Sequence, residues 1–311
     1  MATDSSCFCG NGNKSFSFYF ANLGYDIWLG NFRGTEFSRH KILQRSDKKF
    51  WDFSYHENGL YDLSANFKYI SAKTKSKIFY IGHSMGGSAM AIYLSMKPEE
   101  AMEYVKHTTF LSGSFHMKNT HGIFGFNYVN NMYDLLMLLP NTNMSVLLGL
   151  DSFERQFMLQ FCLSSLKNAH LCIGIIDSIA GTEGYEMSPE NILLALPCGK
   201  NQCLKQMLHY VQAIRTQEFR MFDYGPKENM IRYNSTIPPK YDLTKMSTDI
   251  TFIYGAYDGL ATKEDNIYTF NKYRKPNWDA YEIPYNHYNY LFDRKYVDKI
   301  LYPLILKIIN K

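Results

Sequence analysis

The sequence predicts an α/β fold: a mostly parallel sheet with helices on both faces and an inserted helical region. Three observations predict it. Apolar strand-like runs alternate with helical spacing through the first third of the chain, as in parallel strands joined by crossover helices. The alternation stops after about residue 115, where Met- and Leu-rich helical or irregular segments take over. It returns at Asp249–Gly255 (DITFIYG) and continues to the end.

Taken in order, Phe16–Leu23 reads as a short helix and Tyr25–Gly30 (YDIWLG) as a strand, followed by the loop Asn31-Phe32-Arg33-Gly34. Asp62–Lys73 places Leu63, Phe67 and Ile70 on one helical face. Lys77–His83 is an apolar strand, and Gly87–Met96 (GSAMAIYLSM) a helix with small residues near its start. Thr108–Ser112 is a short buried strand. Tyr133–Leu139, Ser145–Leu150 and Phe161–Leu171 are the apolar stretches of the insertion. Trp278–Ile283 reads as the last strand and Lys295–Ile309 as a closing amphipathic helix. The predicted organisation is a core of residues 1–114 and 243–311 with an insertion over 115–242.

The 311 residues are 46% hydrophobic and 20% charged, enough for one large domain or two small ones. The net charge of +4 is spread out, and no basic block is interleaved with aromatics, which argues against nucleic acid as a partner. No apolar run reaches the length of a membrane span. The opening MATDSSCFCGNGNKS lacks the charged start and apolar stretch of a signal peptide, whereas Asn13, Asn143 and Asn234 head glycosylation sequons. The six cysteines form no zinc pattern. Cys162 with Cys172, and Cys198 with Cys203, are close enough to bridge if oxidised; ordinary thiols are the alternative.

The chemistry is legible at Gly82-His83-Ser84-Met85-Gly86, where a strand stops and a helix begins. A G-x-S-x-G in that context is the nucleophile elbow of α/β-hydrolases. The tight turn lifts the Ser84 hydroxyl clear of the sheet and aims the Met85 N–H at a developing oxyanion. A serine needs a base, and the base an orienting acid, in the chain order Ser, Asp or Glu, His. Reactive groups in an open α/β sheet gather beyond the carboxyl ends of strands. Asp258 lies just beyond Asp249–Gly255, and His287 just beyond Trp278–Ile283, so Ser84, Asp258 and His287 are the predicted triad. Asp265 and Asp279 are reserve acids. His83 is read as a packing residue, because neighbours on a strand face opposite sides. This chemistry needs no metal or organic cofactor.

Several segments resemble the animal acid lipase family, which contains the gastric and lysosomal acid lipases. Gly24-Tyr25-Asp26-Ile27-Trp28-Leu29-Gly30-Asn31-Phe32-Arg33-Gly34 is similar to its G-Y-D-V-W-x-G-N-x-R-G segment. Ser38-Arg39, Phe50–Ser54, Tyr61-Asp62-Leu63, Tyr254–Ala261 and Glu282–His287 fit as well. At the elbow most members carry glutamine where Met85 stands. The resemblance runs from about residue 10 to the end. It implies a helical cap over the site, mapped to 115–242, and esters of long-chain acids met at a lipid–water interface. It also implies secretion or a lysosomal location.

One family feature is missing. An H-G segment, which helps build the oxyanion hole, ends a strand upstream of G-Y-D-V-W in the family, and no His-Gly pair precedes residue 24 here. The resemblance places that strand between Tyr25–Gly30 and Lys77–His83. The expectation is that the 311 residues alone are poorly soluble and nearly inactive on esters. The rival expectations are another hydrolase chemistry, such as peptide or thioester cleavage, and a lipid-binding pseudohydrolase.

Overall fold

Four parallel strands carry the architecture of the computed structural model, which describes residues 4–10, 12–122, 125–138, 145–147, 152–183, 189, 201–293 and 295–311. They are β1 (Ile78–His83), β2 (Val105–Leu111), β5 (Asp249–Gly255) and β6 (Trp278–Ile283), in the order β1-β2-β5-β6. A separate antiparallel ribbon pairs β3 (Val146–Leu147) with β4 (Gln202–Cys203).

The helices follow in chain order. The core supplies α1 (Phe16–Asn22), α2 (Ser64–Thr74), α3 (Met85–Met96) and α4 (Pro98–Tyr104) before residue 112. Between β2 and β5 lie α5 (Phe126–Leu138), α6 (Phe153–Leu163), α7 (Leu166–Ala180), α8 (Leu204–Thr216) and α9 (Pro226–Tyr233). The chain ends with α10 (Lys263–Tyr273) and α11 (Leu301–Ile309).

Strand residues alternate between two buried faces. Phe110 and Phe252 pack with Ala89–Leu94 of α3, whereas Leu111 and Ile253 pack with Phe20 of α1 and Leu301 and Ile305 of α11. Successive strand side chains point to opposite faces, and with both faces covered the strands read as continuous apolar runs. Helix α3 is buried along nearly its whole length, which explains its small and apolar composition.

Two expected elements differ. Tyr25–Gly30 is not a strand. Tyr25 and Ile27 pack beside Phe20, but among the described residues the backbone joins no ladder, and a cavity is lined by both this segment and β1. Strand geometry is held by a neighbour's N–H and C=O groups, which apolar pattern alone cannot supply. β1 is correspondingly an edge strand, mostly half-buried, whose outer side pairs with no strand among the described residues. The closing helix begins at Leu301, and residues 295–300 are turns. Pro303 explains the late start: in the first turn its missing N–H costs nothing, whereas further inside it would break a helical hydrogen bond.

Of the two cysteine pairs, Cys162 and Cys172 form a disulfide joining α6 to α7. Cys203 is a free buried thiol whose Sγ lies 3.1 Å from the Trp51 carbonyl oxygen, and Cys198 lies outside the described residues. Asn13 and Asn234 are exposed, and Asn143 is outside the described residues.

Candidate active site

Ser84 occupies the turn from β1 into α3 with φ 53° and ψ −114°, a region L-residues rarely adopt. The surroundings impose it. The Ser84 N–H donates to the Leu111 carbonyl at the end of β2 (3.0 Å), and the Tyr80 hydroxyl donates to the Gly86 carbonyl (2.9 Å). A Cβ on Gly82 would stand 2.6 Å from the Tyr80 ring and 2.8 Å from the Gly86 backbone, so only glycine fits there. Met85 is the first residue of α3, and its N–H therefore has no acceptor within the helix.

The structure brings the three predicted residues together. His287 Nε2 lies 2.8 Å from Ser84 Oγ, and His287 Nδ1 lies 2.8 Å from Asp258 Oδ2. Asp258 Oδ1 accepts from the N–H groups of Leu260 (2.9 Å) and Ala261 (2.8 Å), which fixes the carboxylate while leaving Oδ2 to the imidazole. Asp258 and His287 are both buried. The reserve acids lie elsewhere. Asp265 accepts from the backbone and side chain of Asn119, and Asp279 pairs with Lys311 at 2.6 Å.

Two further groups hold the backbone of His287, and sequence reasoning did not find them. His83 does more than pack: its Nε2 lies 2.8 Å from the His287 carbonyl oxygen, and the two rings are 4.8 Å apart. Burial and the neighbouring His287 hold the His83 pKa well below the ordinary histidine value, so the ring is neutral and donates through Nε2–H. The second group is the carbonyl of Ala180, the last residue of α7. It accepts from the His287 N–H (3.1 Å) and the Gly259 N–H (2.9 Å), tying the loops that carry His287 and Asp258 to α7. No periodicity reveals a backbone acceptor so far away along the chain. His83 carried one signal, its adjacency to Ser84.

A cavity of about 700 Å³ opens beside Ser84, Met85 and His287. Met207, Val211 and Ile214 of α8 contribute an apolar wall, and the space continues along β1 past Phe79 and Trp28. The family-like segments outside the triad build the frame instead. Arg33 Nε and Nη2 donate to Asp62 Oδ1 at 2.8 and 2.6 Å, and the Arg33 N–H donates to Asp62 Oδ2 at 3.0 Å. This joins the loop after Tyr25–Gly30 to the turn that opens α2.

Comparison with known proteins agrees with this architecture. The family model described as the alpha/beta hydrolase fold matches residues 6–293. Lipase member N of Mus musculus is 32% identical over 292 residues, which is 87% of this chain and 69% of that protein. Gastric triacylglycerol lipase of Rattus norvegicus is 29% identical over 290 residues, covering 90% of this chain and 71% of that protein. Among solved structures, a methylesterase from Arabidopsis shares the fold with a TM-score of 0.50 at 11% identity, over 99% of this chain and 95% of that one. The chain belongs to the α/β-hydrolase fold family and, within it, to the acid lipase-like group.

Proposed function

We propose that this protein is a serine ester hydrolase acting on lipid esters with hydrophobic acyl chains. The observation that carries the reading is the hydrogen-bonded chain Ser84–His287–Asp258, two contacts of 2.8 Å in the order the chemistry needs. Ser84 Oγ attacks the ester carbonyl carbon while His287 Nε2 takes its proton. His287 returns that proton to the leaving alcohol, and a water then hydrolyses the acyl-enzyme by the same route. Asp258 holds the imidazole and stabilises its charged form. The Met85 N–H supplies one oxyanion donor.

Residues 115–242 act as a cap over the site. Support comes from the wall of Met207, Val211 and Ile214, an apolar surface suited to an acyl chain. The lipase names of the relatives support the ester substrate, and the disulfide Cys162–Cys172 supports an oxidising compartment, secretory or lysosomal. Among the described residues no helix is long and apolar enough to cross a membrane. A lipid-binding reading without turnover draws on one observation, the outer edge of β1 next to Ser84, which pairs with no strand among the described residues.

A fluorophosphonate probe is expected to label Ser84, and Ser84→Ala to abolish the label. Ester turnover should fall by about 10⁴-fold or more in that variant. Labelling that survives the substitution overturns the assignment of the nucleophile. Labelling without turnover on any ester decides for the binding reading.

A further inference from the structure

The net charge of +4 is less evenly spread than the sequence suggests. Residues 39–49 hold five cations, Arg39, Lys41, Arg45, Lys48 and Lys49, against the single acid Asp47, which leaves the rest of the chain balanced. Arg39, Lys41, Lys48 and Lys49 are exposed, and Arg45 is half-buried. Among the described residues none of the five forms an ion pair with a carboxylate. Two of them are fixed by the backbone instead. Arg39 Nη1 donates to the Ser38 carbonyl at 3.0 Å, and Arg45 Nη2 donates to the same carbonyl at 3.2 Å. Arg45 also donates to the Gly34 and Thr35 carbonyls and lies over the Phe50 and Trp51 rings at 5.3 and 5.7 Å. The Trp51 Nε1–H donates to the Arg45 carbonyl at 2.7 Å, which pins the loop beneath its cations. Two guanidiniums that share one acceptor repel each other. Burial and Arg39 lower the Arg45 pKa, and Glu36 offsets them only in part.

This arrangement selects an anion. A guanidinium presents paired, planar N–H donors that match the oxygens of a sulfate or phosphate group, and donors already held in place lose little freedom on binding. His40 adds a donor beside them. Its Nδ1 accepts from the N–H groups of Ile42 (3.1 Å) and Leu43 (2.8 Å), which leaves the ring proton on Nε2. Lysines on both sides of the arginine pair call for a chain of anions rather than a single one. Three polyanions match the loop by charge. Nucleic acid also needs rings on which to stack its bases, but Trp51 is buried and Arg45 lies over Phe50. Anionic lipids gather in the cytoplasmic leaflet. Ile42 is 82% exposed, but one exposed apolar side chain is ordinary on a protein surface. The disulfide Cys162–Cys172 suits the oxidising compartment proposed above, where the remaining polyanion is a sulfated polysaccharide.

We infer that residues 39–49 bind a sulfated polysaccharide, with one sulfate seated between Arg39 and Arg45. None of these residues lines the cavity beside Ser84, so the site stands apart from ester hydrolysis. Only the choice of polymer rests on the compartment. The test titrates the full chain against fluorescent heparin at about 150 mM salt. Lys41→Gln, Lys48→Gln and Lys49→Gln together are expected to raise Kd by about tenfold or more. A control triple of exposed lysines elsewhere, Lys227→Gln, Lys245→Gln and Lys299→Gln, removes the same charge and should change Kd by less than about twofold. Arg39→Lys keeps the charge but loses the fork, and should raise Kd by about threefold or more. Parental affinity should fall by about tenfold or more between about 50 and 200 mM salt. Parental circular dichroism spectra and thermal midpoints in all variants show that they fold. A parent that does not bind heparin overturns the proposal. Equal losses in the two triples also overturn it, because net charge then acts alone. Unchanged affinity in Arg39→Lys overturns the seat between the guanidiniums. Equal or tighter binding to single-stranded DNA, or to phosphatidylserine vesicles, overturns the choice of polymer.

Discussion

At the residue scale, the His287 ring meets Ser84 and Asp258, while its backbone N–H donates to the Ala180 carbonyl and its backbone carbonyl accepts from the neutral ring of His83. Removing it leaves the nucleophile and the acid in place but loosens the base. His83→Ala is expected to lower kcat by about tenfold, with KM little changed and the pH–rate profile displaced. Unchanged kcat and an unchanged profile would reduce His83 to packing; recovery in His83→Asn would support the hydrogen bond. Histidines also set the response to acid. His209 is buried against the Tyr55 ring at 3.8 Å, donates to the Arg220 carbonyl, and leaves Nδ1 without a partner. Burial lowers its pKa to about 3, and burial likewise lowers that of His116 to about 4. The unfolded chain therefore binds more protons than the folded one below about pH 6.5. The stability is fully present above that pH and is lost as pH falls toward the folded values. At pH 5 each ring costs about 2 kcal/mol. Urea midpoints should fall from pH 7 to pH 5, and His209→Gln, which keeps a donor for Arg220, should flatten the slope. An unaltered slope in that variant contradicts the assignment.

At the element scale, the informative joint is the end of α7. Gly181 follows Ala180 with φ 119°, and a Cβ there would collide with the Tyr257 carbonyl oxygen. Tyr257 precedes the acid Asp258, so any side chain at 181 pushes the acid loop away from the helix that anchors it. Gly181→Ala is expected to reduce turnover by about 10²-fold, since small misplacements of catalytic groups are costly. A Cβ added at Gly174, in the same helix, would meet nothing within 4 Å. Gly174→Ala should retain activity and gain up to about 1 kcal/mol from helix propensity. Thermal midpoints and turnover measured on both variants check this, and full activity in Gly181→Ala removes the joint from the mechanism.

At the scale of the whole molecule, the insertion both supports the triad and lines the cavity. Replacing residues 115–242 with a linker would remove the Ala180 carbonyl and disturb turnover on every ester. Chain-length choice is better tested on the wall itself. Met207→Trp, which shortens the apolar side of the cavity, is expected to lower the ratio of long-chain to butyryl ester turnover by about tenfold. An unchanged ratio across an acyl series would place the acyl chain elsewhere, the stretch beside β1, Phe79 and Trp28 being the remaining part of the same cavity.

The sequence by itself determined the strands that become the sheet, because β5 and β6 coincide with the apolar runs Asp249–Gly255 and Trp278–Ile283. It also determined which serine, acid and histidine meet: the elbow needs local turn chemistry, and the other two follow from their places just beyond strand ends. Three things were decided only in the tertiary structure. Tyr25–Gly30 has strand composition yet forms none, because a strand is completed by a neighbour's backbone and a cavity stands there instead. Cys162 and Cys172 bridge while Cys203 stays reduced against the Trp51 carbonyl, because pairing depends on which helices come together. The support given to His287 by His83 and the Ala180 carbonyl comes from groups 204 and 107 residues away in the chain. Contacts between a side chain and a distant backbone leave no pattern in residue spacing, so folding alone creates them.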